Sequence, residues 1–211
     1  MKRLHFENMP MVVCLVAAAI LLTASPDLSE KLRIHAGSEG TSLVMQLFTC
    51  HFVHWTVSHL FYDVLCLALL GLLLPWREMV LTLLFSAPIV ALTALWFHPE
   101  LTSYCGLSGI NCALFAYYAV KLGRERKMLG GVALSAVLLK TLVEISSDRT
   151  FFATAGFVPV HSAHLVGIGA GCLWGLLFSR GWQITGRSRK TPECTEGRCQ
   201  GFAGLGEWQG R

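Results

Sequence analysis

The residues best suited to chemistry are polar side chains that interrupt apolar segments. They are one serine, three histidines and one aspartate: Ser108, His54, His59, His164 and Asp63. Polar and ionisable groups inside a membrane are costly and usually serve a function. A neutral histidine can accept the proton of a serine hydroxyl and later return it to a leaving amine. The set therefore indicates a serine hydrolase within a membrane, with Ser108 and His164 as candidate nucleophile and base.

Composition favours a membrane protein over a soluble domain. Hydrophobic residues make up 54% of the 211 residues and charged residues 14%, and the apolar stretches are long and evenly spaced. A spanning helix needs roughly 20 mostly apolar residues. We therefore predict an all-α membrane protein with six spanning helices, near residues 10–25, 52–75, 79–97, 107–122, 129–146 and 161–179.

Lysine and arginine residues orient these helices. With both termini inside, the outer connections hold Lys31, Arg33 and Arg149, Lys140 lies within a helix, and all other basic residues fall on the inner side. By the positive-inside rule we predict a multi-pass protein of a bacterial inner membrane with both termini in the cytoplasm. The first apolar run, which ends at Thr23-Ala24-Ser25, also resembles a signal peptide. We favour a retained helix because the basic tail independently favours the cytoplasm.

One domain accounts for the apolar part of the chain. We predict a transmembrane domain over residues 1–185 and a disordered cytoplasmic tail over residues 186–211, which are rich in Gly, Arg and Glu. Residues 27–50 are too polar to span and are expected to form a long outer loop. Of the eight cysteines, Cys50 and Cys105 both lie near the outer face and are candidates for a disulfide in an oxidising periplasm.

Ser108, His164 and His59 are predicted to lie at similar depths. Helix rise, counted from the nearest inner basic residue, places them about 20, 24 and 27 Å above the inner interface of a hydrocarbon core about 30 Å thick. Three polar side chains from three helices thus reach the outer third of the membrane. A water-filled site open to the outside would require this arrangement.

Small residues predict which helices pack together. The sixth span carries a glycine stripe that includes His164, and the fourth carries a comparable face running down from Ser108. The two faces are Gly167, Gly171 and Gly175 on the sixth span and Gly109, Ala113 and Ala116 on the fourth. Close packing of these faces would bring Ser108 within hydrogen-bond reach of His164.

The segment before Ser108 is expected to dip into the protein from the outer side. Because the fourth span starts below the outer surface, the connection from His98 to Leu107 must line a cavity. Gly106 and Gly109 permit the turn. Unpaired backbone N–H groups beside Ser108, with the positive end of the helix dipole, would suit a developing oxyanion.

Three motifs resemble those of the rhomboid intramembrane serine proteases. That family has Gly-x-Ser-Gly at the start of its fourth helix, Ala-His-x-x-Gly-x-x-x-Gly in its sixth and His-x-x-x-x-His-x-x-x-Asn in its second. The matching residues here are Gly106, Ser108 and Gly109, then Ala163, His164, Gly167 and Gly171, then His54, His59 and Asp63. The resemblance covers roughly residues 43–179 and implies a six-helix rhomboid-like transmembrane bundle with serine endopeptidase activity.

The resemblance also implies residue roles. Ser108 would be the nucleophile, His164 the general base and His59 an oxyanion donor. The supporting residues of the site would be His54, Asp63, Gly106, Leu107 and Gly109.

Two acidic residues fall inside predicted helices. Asp63 stands where the family has an asparagine donor, and a protonated aspartate can donate to an oxyanion whereas an ionised one cannot. Alternatively, Asp63 pairs with His59 or another nearby group, or is a buried carboxyl that holds helices together. Glu144 lies four residues after Lys140, so we expect these two to pair or to extend outward, without a catalytic role.

Further departures from the family pattern indicate a divergent branch. The Trp-Arg pair of the first outer loop has no match at Met45 and Gln46, and Cys112 replaces the aromatic residue that often stacks on the catalytic histidine. The compact form most resembles the rhombosortase branch, although Ile110 and Asn111 depart from it. This branch implies a membrane-anchored exported protein as substrate, with a C-terminal Gly-Gly-type tail cleaved near the outer face.

Two other function classes remain open. A histidine-rich protein binding metal or haem would use His51, His54, His59 and His164, but it leaves Ser108 unexplained, and the sequence has no His-Glu-x-x-His. A catalytically inactive relative that only binds membrane helices is the other class, and the intact serine and histidine argue against it. We expect no metal, no cofactor and no nucleic-acid partner; the expected partners are the lipid bilayer and a membrane-anchored protein substrate.

Overall fold

A computed structural model describes residues 4–98, 101–147 and 160–178 of the chain. These residues are largely helical, with two short 3-10 turns at Phe6–Asn8 and Cys50–Phe52. The elements in chain order are α1 (Met9–Ala24), α2 (Pro26–Leu32), β1 (Ile34–His35), α3 (Gly40–Thr49), α4 (Val57–Leu73), α5 (Trp76–Phe97), β2 (Ser103–Tyr104), α6 (Ser108–Glu125), α7 (Lys127–Ser147) and α8 (His161–Phe178). The predicted tail, residues 186–211, lies outside the described residues.

The predicted all-α fold is confirmed, but the predicted count of six spans is not. Helices α1, α4, α5, α6, α7 and α8 occupy the six predicted ranges. Among the described residues, four helices are long and apolar enough to cross a membrane, and a bent pair, Gly40–Phe52 with Val57–Leu73, gives up to five. Helix α6 is not among them, because it begins with Ser-Gly and ends in a charged turn.

Helix α6 is the centre of the bundle. It packs against α4, α5, α7 and α8, and its contact with α8 is the most extensive between any two described helices. Ile110 and Leu114 of α6 are fully buried in the main apolar core together with Leu67 of α4 and Met79 of α5. By contrast, α7 leaves Val132 and Leu139 largely exposed. Exposed apolar side chains on outer helices are what contact with lipid requires.

Residues 27–50, predicted as a loop, contain α2, β1 and α3. Strand β1 pairs antiparallel with β2, with Ile34 opposite Tyr104. This two-stranded ladder fixes the segment that precedes α6 against the α2–α3 region. Cys50 and Cys105, the candidate disulfide, are both free thiols in the structure and both are buried. Burial raises the pKa of the Cys105 thiol to about 12, so this sulfur stays protonated and is a poor nucleophile at neutral pH.

Helix α1 is integrated into the bundle by contacts with α4. The Asn8 side chain donates hydrogen bonds to the carbonyl oxygens of Gly71 at 2.8 Å and Leu74 at 2.6 Å. These carbonyls lie at the C-terminal end of α4, where helical partners are lacking. Val12 packs so closely on Gly71 that a methyl group there would meet its side chain. These contacts accord with a retained first helix, which stays a prediction.

Candidate active site

Helices α6 and α8 run parallel and touch through their small residues. An added methyl group at Gly167 would overlap the carbonyl oxygen of Gly109, and one at Gly171 would overlap that of Ala113. The predicted packing of the two small-residue faces is therefore confirmed. Because the paired residue numbers rise together along both helices, α6 and α8 begin at the same end of the bundle.

This contact brings the candidate nucleophile and base to one level. Ser108 is the first residue of α6 and directly precedes Gly109. His164 is in the first turn of α8 and directly follows Ala163, whose carbonyl oxygen would lie 3.1 Å from a methyl group at Gly109. Both residues thus lie at the end of the α6–α8 contact where the two helices begin. Ser108 is partly exposed and His164 is buried.

The segment before Ser108 turns at Gly106 and enters the protein, as predicted. Gly106 has a φ of +124°, which side chains rarely permit, and an added methyl group there would lie 2.7 Å from a carbon of the His59 ring. Its N–H donates to the carbonyl oxygen of Cys50 at 3.0 Å, and its own carbonyl oxygen accepts from His51 at 3.2 Å. The glycine therefore places the loop directly against His59.

Asp63 is a buried acceptor beneath this loop. One of its oxygens, Oδ2, accepts from the Leu107 N–H at 3.1 Å and lies 3.0 Å from Nε2 of His54 and 3.3 Å from Nε2 of His59. The Asn111 side chain donates to the Asp63 main-chain oxygen at 3.0 Å and to Oδ1 at 3.3 Å. This geometry matches one of the alternatives for Asp63, in which Asp63 pairs with His59 and other nearby groups.

The Leu107 N–H is therefore not available to an oxyanion, contrary to the expectation that N–H groups beside Ser108 are unpaired. This N–H instead donates to Asp63 within the protein. The first intrahelical bond of α6 runs from the Asn111 N–H to the Leu107 carbonyl. The N–H groups of Ser108 and Gly109 precede this bond, and first-turn N–H groups have no acceptor within their own helix. These two are the remaining backbone candidates.

The predicted histidines fall into two groups. His54 and His59 stack edge to face with ring centres 5.0 Å apart, and His59 lies within electrostatic range of His164. His51 instead contacts two carbonyl oxygens, those of Gly106 and Ala87, at 3.2 and 3.0 Å. A ring held between two carbonyls cannot also bind a metal, so His51 is removed from the set proposed for a metal or haem site.

Residues beyond the predicted site surround His164. Glu144 of α7 is 1% exposed, and its Oε2 lies 3.3 Å from Nδ1 of His164 and 2.7 Å from Nζ of Lys140. The predicted Lys140–Glu144 pairing is confirmed, but it points inward toward the site. His161 packs edge to face on His164, with ring centres 6.1 Å apart. The i to i+4 spacing of Lys140 and Glu144 predicts their ion pair. No local pattern in the sequence predicts the contact between α7 and α8.

Comparison with known proteins assigns the family. Residues 41–181 match the Rhomboid domain family. No curated protein matches the chain. The matched range covers most of the chain and includes Ser108, His164, His59 and Asp63. The chain therefore belongs to the rhomboid family of intramembrane proteases and is a multi-pass membrane protein.

Proposed function

We propose that this protein is an intramembrane serine endopeptidase in which Ser108 is the nucleophile and His164 the general base. The observation that carries the proposal is the backbone-level contact of Gly109 with Ala163 and Gly167. It supports the proposal because Ser108 and His164 directly adjoin this contact, at one end of two parallel helices.

The reaction follows from these positions. The Ser108 oxygen attacks the carbonyl carbon of a peptide bond while its proton moves to Nε2 of His164. The C–N bond then breaks, the amine takes the proton from His164, and an ester to Ser108 remains. A water molecule attacks this ester after losing a proton to His164, which returns the proton to Ser108 as the ester bond breaks.

Stabilisation of the oxyanion is assigned to His59 and to the first turn of α6. The His59 ring lies against Gly106, two residues before the nucleophile. The N–H groups of Ser108 and Gly109 and the positive end of the helix dipole belong to the same first turn of α6. Asp63 supports this arrangement by holding Leu107 and by contacting His54 and His59.

Labelling with a fluorophosphonate probe tests the nucleophile. We expect the wild-type protein to be labelled, Ser108→Ala to lose labelling completely, and His164→Ala to lower the labelling rate about 100-fold or more. Ser86→Ala is the control, because Ser86 is another helical serine, is fully buried and donates to the Thr82 carbonyl at 2.7 Å. An unlabelled wild-type protein, or equal labelling of Ser108→Ala, would refute the proposal.

We further propose that the substrate is a membrane-anchored exported protein, cleaved near the outer face of a bacterial inner membrane. Support comes from the motif resemblance and from the basic residues, which favour cytoplasmic termini and place Ser108 toward the outside. A rhombosortase-type enzyme would act on a C-terminal Gly-Gly tail. A reporter with such a tail should be released when co-expressed with wild type, and not with Ser108→Ala. Equal release after the Gly-Gly is changed to Leu-Leu would contradict this choice of substrate.

A further inference from the structure

A buried carboxylate touches the histidine that the proposed mechanism uses as a base. Glu144 is one of three buried residues on α7, a helix whose other described side chains are partly or largely exposed. Its Oε2 lies 3.3 Å from Nδ1 of His164, although the two atoms are not aligned as a hydrogen bond.

Burial of this carboxylate is costly unless its charge is compensated. Moving a charge from water into a protein interior costs several kcal/mol even after relaxation. Lys140, one turn earlier on α7, supplies the compensation through an Nζ to Oε2 distance of 2.7 Å, and its side chain is 30% exposed. Lys140 thus keeps Glu144 ionised while reaching toward the surface. An apolar residue would fill the same space without this cost, so simple packing does not account for Glu144.

We propose that Glu144 is the positioning residue for His164, so that the serine and histidine work with a carboxylate as third member. This inference rests on the proposed function. An ionised Glu144 favours a proton on Nδ1 of His164, which leaves Nε2 unprotonated and able to accept the Ser108 proton. The same carboxylate stabilises the imidazolium that forms when Ser108 attacks.

The charged and titratable groups around His164 agree with this role. Lys140 and Glu144 face it from α7, and His161 packs on it within α8. Glu144 is the anion among them that contacts its ring. The carboxylate therefore stabilises a positive charge on His164 against the opposing effect of Lys140.

The same cluster has the residue types of a metal site. Three residues, Glu144, His161 and His164, each offer one ligand atom, and these three atoms lie within 4.8 Å of one another. However, the Lys140 ammonium is 2.7 Å from the Glu144 oxygen that faces His164, and a cation bound by that oxygen would be repelled by it. The arrangement therefore favours a charge network over a bound divalent cation.

Labelling rates with the fluorophosphonate probe test the proposal in full-length protein. We expect Glu144→Gln to lower the rate per folded molecule about 10- to 100-fold, and Glu144→Asp, which keeps a carboxylate, to recover part of the loss. Glu78→Gln is the matched control: Glu78 is also buried and pairs with Lys121 at 2.6 Å, far from Ser108. This control should label at the wild-type rate even if it is less stable.

The outcomes separate this proposal from the proposed function. Absence of labelling in wild type refutes the proposed function itself. Labelling of wild type and Glu144→Gln at the same rate, or equal loss in Glu144→Gln and Glu144→Asp, refutes the role of Glu144. Stoichiometric binding of Zn²⁺ that disappears in Glu144→Gln would also overturn it, because the cluster would then be a metal site.

A measurement on the wild-type protein covers the case in which the Glu144 variants do not fold. Nitrogen NMR of protein labelled in its histidine rings distinguishes the two neutral tautomers, and the His164 signals are assigned by their loss in His164→Gln. We expect the proton of neutral His164 on Nδ1. A proton on Nε2 would contradict the proposal, because Nε2 could not then act as a base.

Discussion

The two ends of the bundle each bury a glutamate–lysine pair, but the pairs differ. We call the end where α6 and α8 begin the site end, and the opposite one the far end. At the far end Lys121 donates to both oxygens of Glu78 at 2.6 Å, which joins α5 to α6. At the site end Oε2 of Glu144 lies between Lys140 on its own helix and His164 on another. The far-end pair joins two helices, whereas Glu144 also contacts a residue that does chemistry in the proposed mechanism.

The contact between α6 and α8 also differs between the site end and the far end. At the site end, Gly167 and Gly171 face main-chain carbonyl oxygens of α6. Toward the far end, a methyl group at Gly175 would lie 3.1 Å from side-chain atoms of Val120. Side chains can shift by a few tenths of an ångström, but a helix backbone cannot shift alone. The helices are thus fixed most rigidly where Ser108 and His164 must meet.

Alanine substitutions in the glycine stripe give the largest expected difference. Gly167→Ala must separate α6 from α8, so we expect loss of probe labelling and destabilisation of at least about 1–3 kcal/mol, the usual cost of overpacking. Gly175→Ala requires only that Val120 adjust, and labelling should stay near the wild-type rate. Unfolding in mild detergent and labelling rate are measured on both. Equal effects of the two substitutions would contradict the contrast between the ends.

The sequence predicted the features that depend on spacing along one helix. The small-residue faces of α6 and α8, the Lys140–Glu144 pair and the turn at Gly106 all follow from local patterns, and all are present. The six-span count is not confirmed, because α6 begins with Ser-Gly and ends in a charged turn, so its hydropathy alone does not mark it as a span.

Hydrogen bonds between polar groups of different helices could not be predicted. Asn111 was noted as a departure from a family branch, yet it donates to Asp63 on α4. The Leu107 N–H was expected to be available to an oxyanion and instead donates to Asp63. Each contact depends on the relative rotation and height of α4 and α6. Patterns within one helix do not carry that information.

Asp63 substitutions give a smaller expected effect at the site end and sharpen the assignment of its role. Asp63→Ala leaves the buried Leu107 N–H with only its longer contact to Nε2 of His54 at 3.4 Å, which costs about 1–3 kcal/mol, and lets the loop before Ser108 shift. A displacement of about 1 Å in a catalytic group can cost about 100-fold in rate, so we expect a loss of this size in probe labelling. Asp63→Asn keeps one oxygen that can accept from Leu107 and should lose less.

Removal of the far-end carboxylate is the control for Asp63. Glu78→Ala also removes a buried acid that contacts α6, so it should lower stability without changing the labelling rate of the folded fraction. If Asp63→Asn labels as fast as wild type or faster while Asp63→Ala is inactive, residue 63 acts as a donor to the oxyanion and the anchoring role is wrong. If neither Asp63 variant changes labelling, the hydrogen bond to Leu107 does not position Ser108. A smaller loss of labelling rate in Asp63→Asn than in Asp63→Ala, with no change in the labelling rate of Glu78→Ala, supports anchoring of the loop by Asp63.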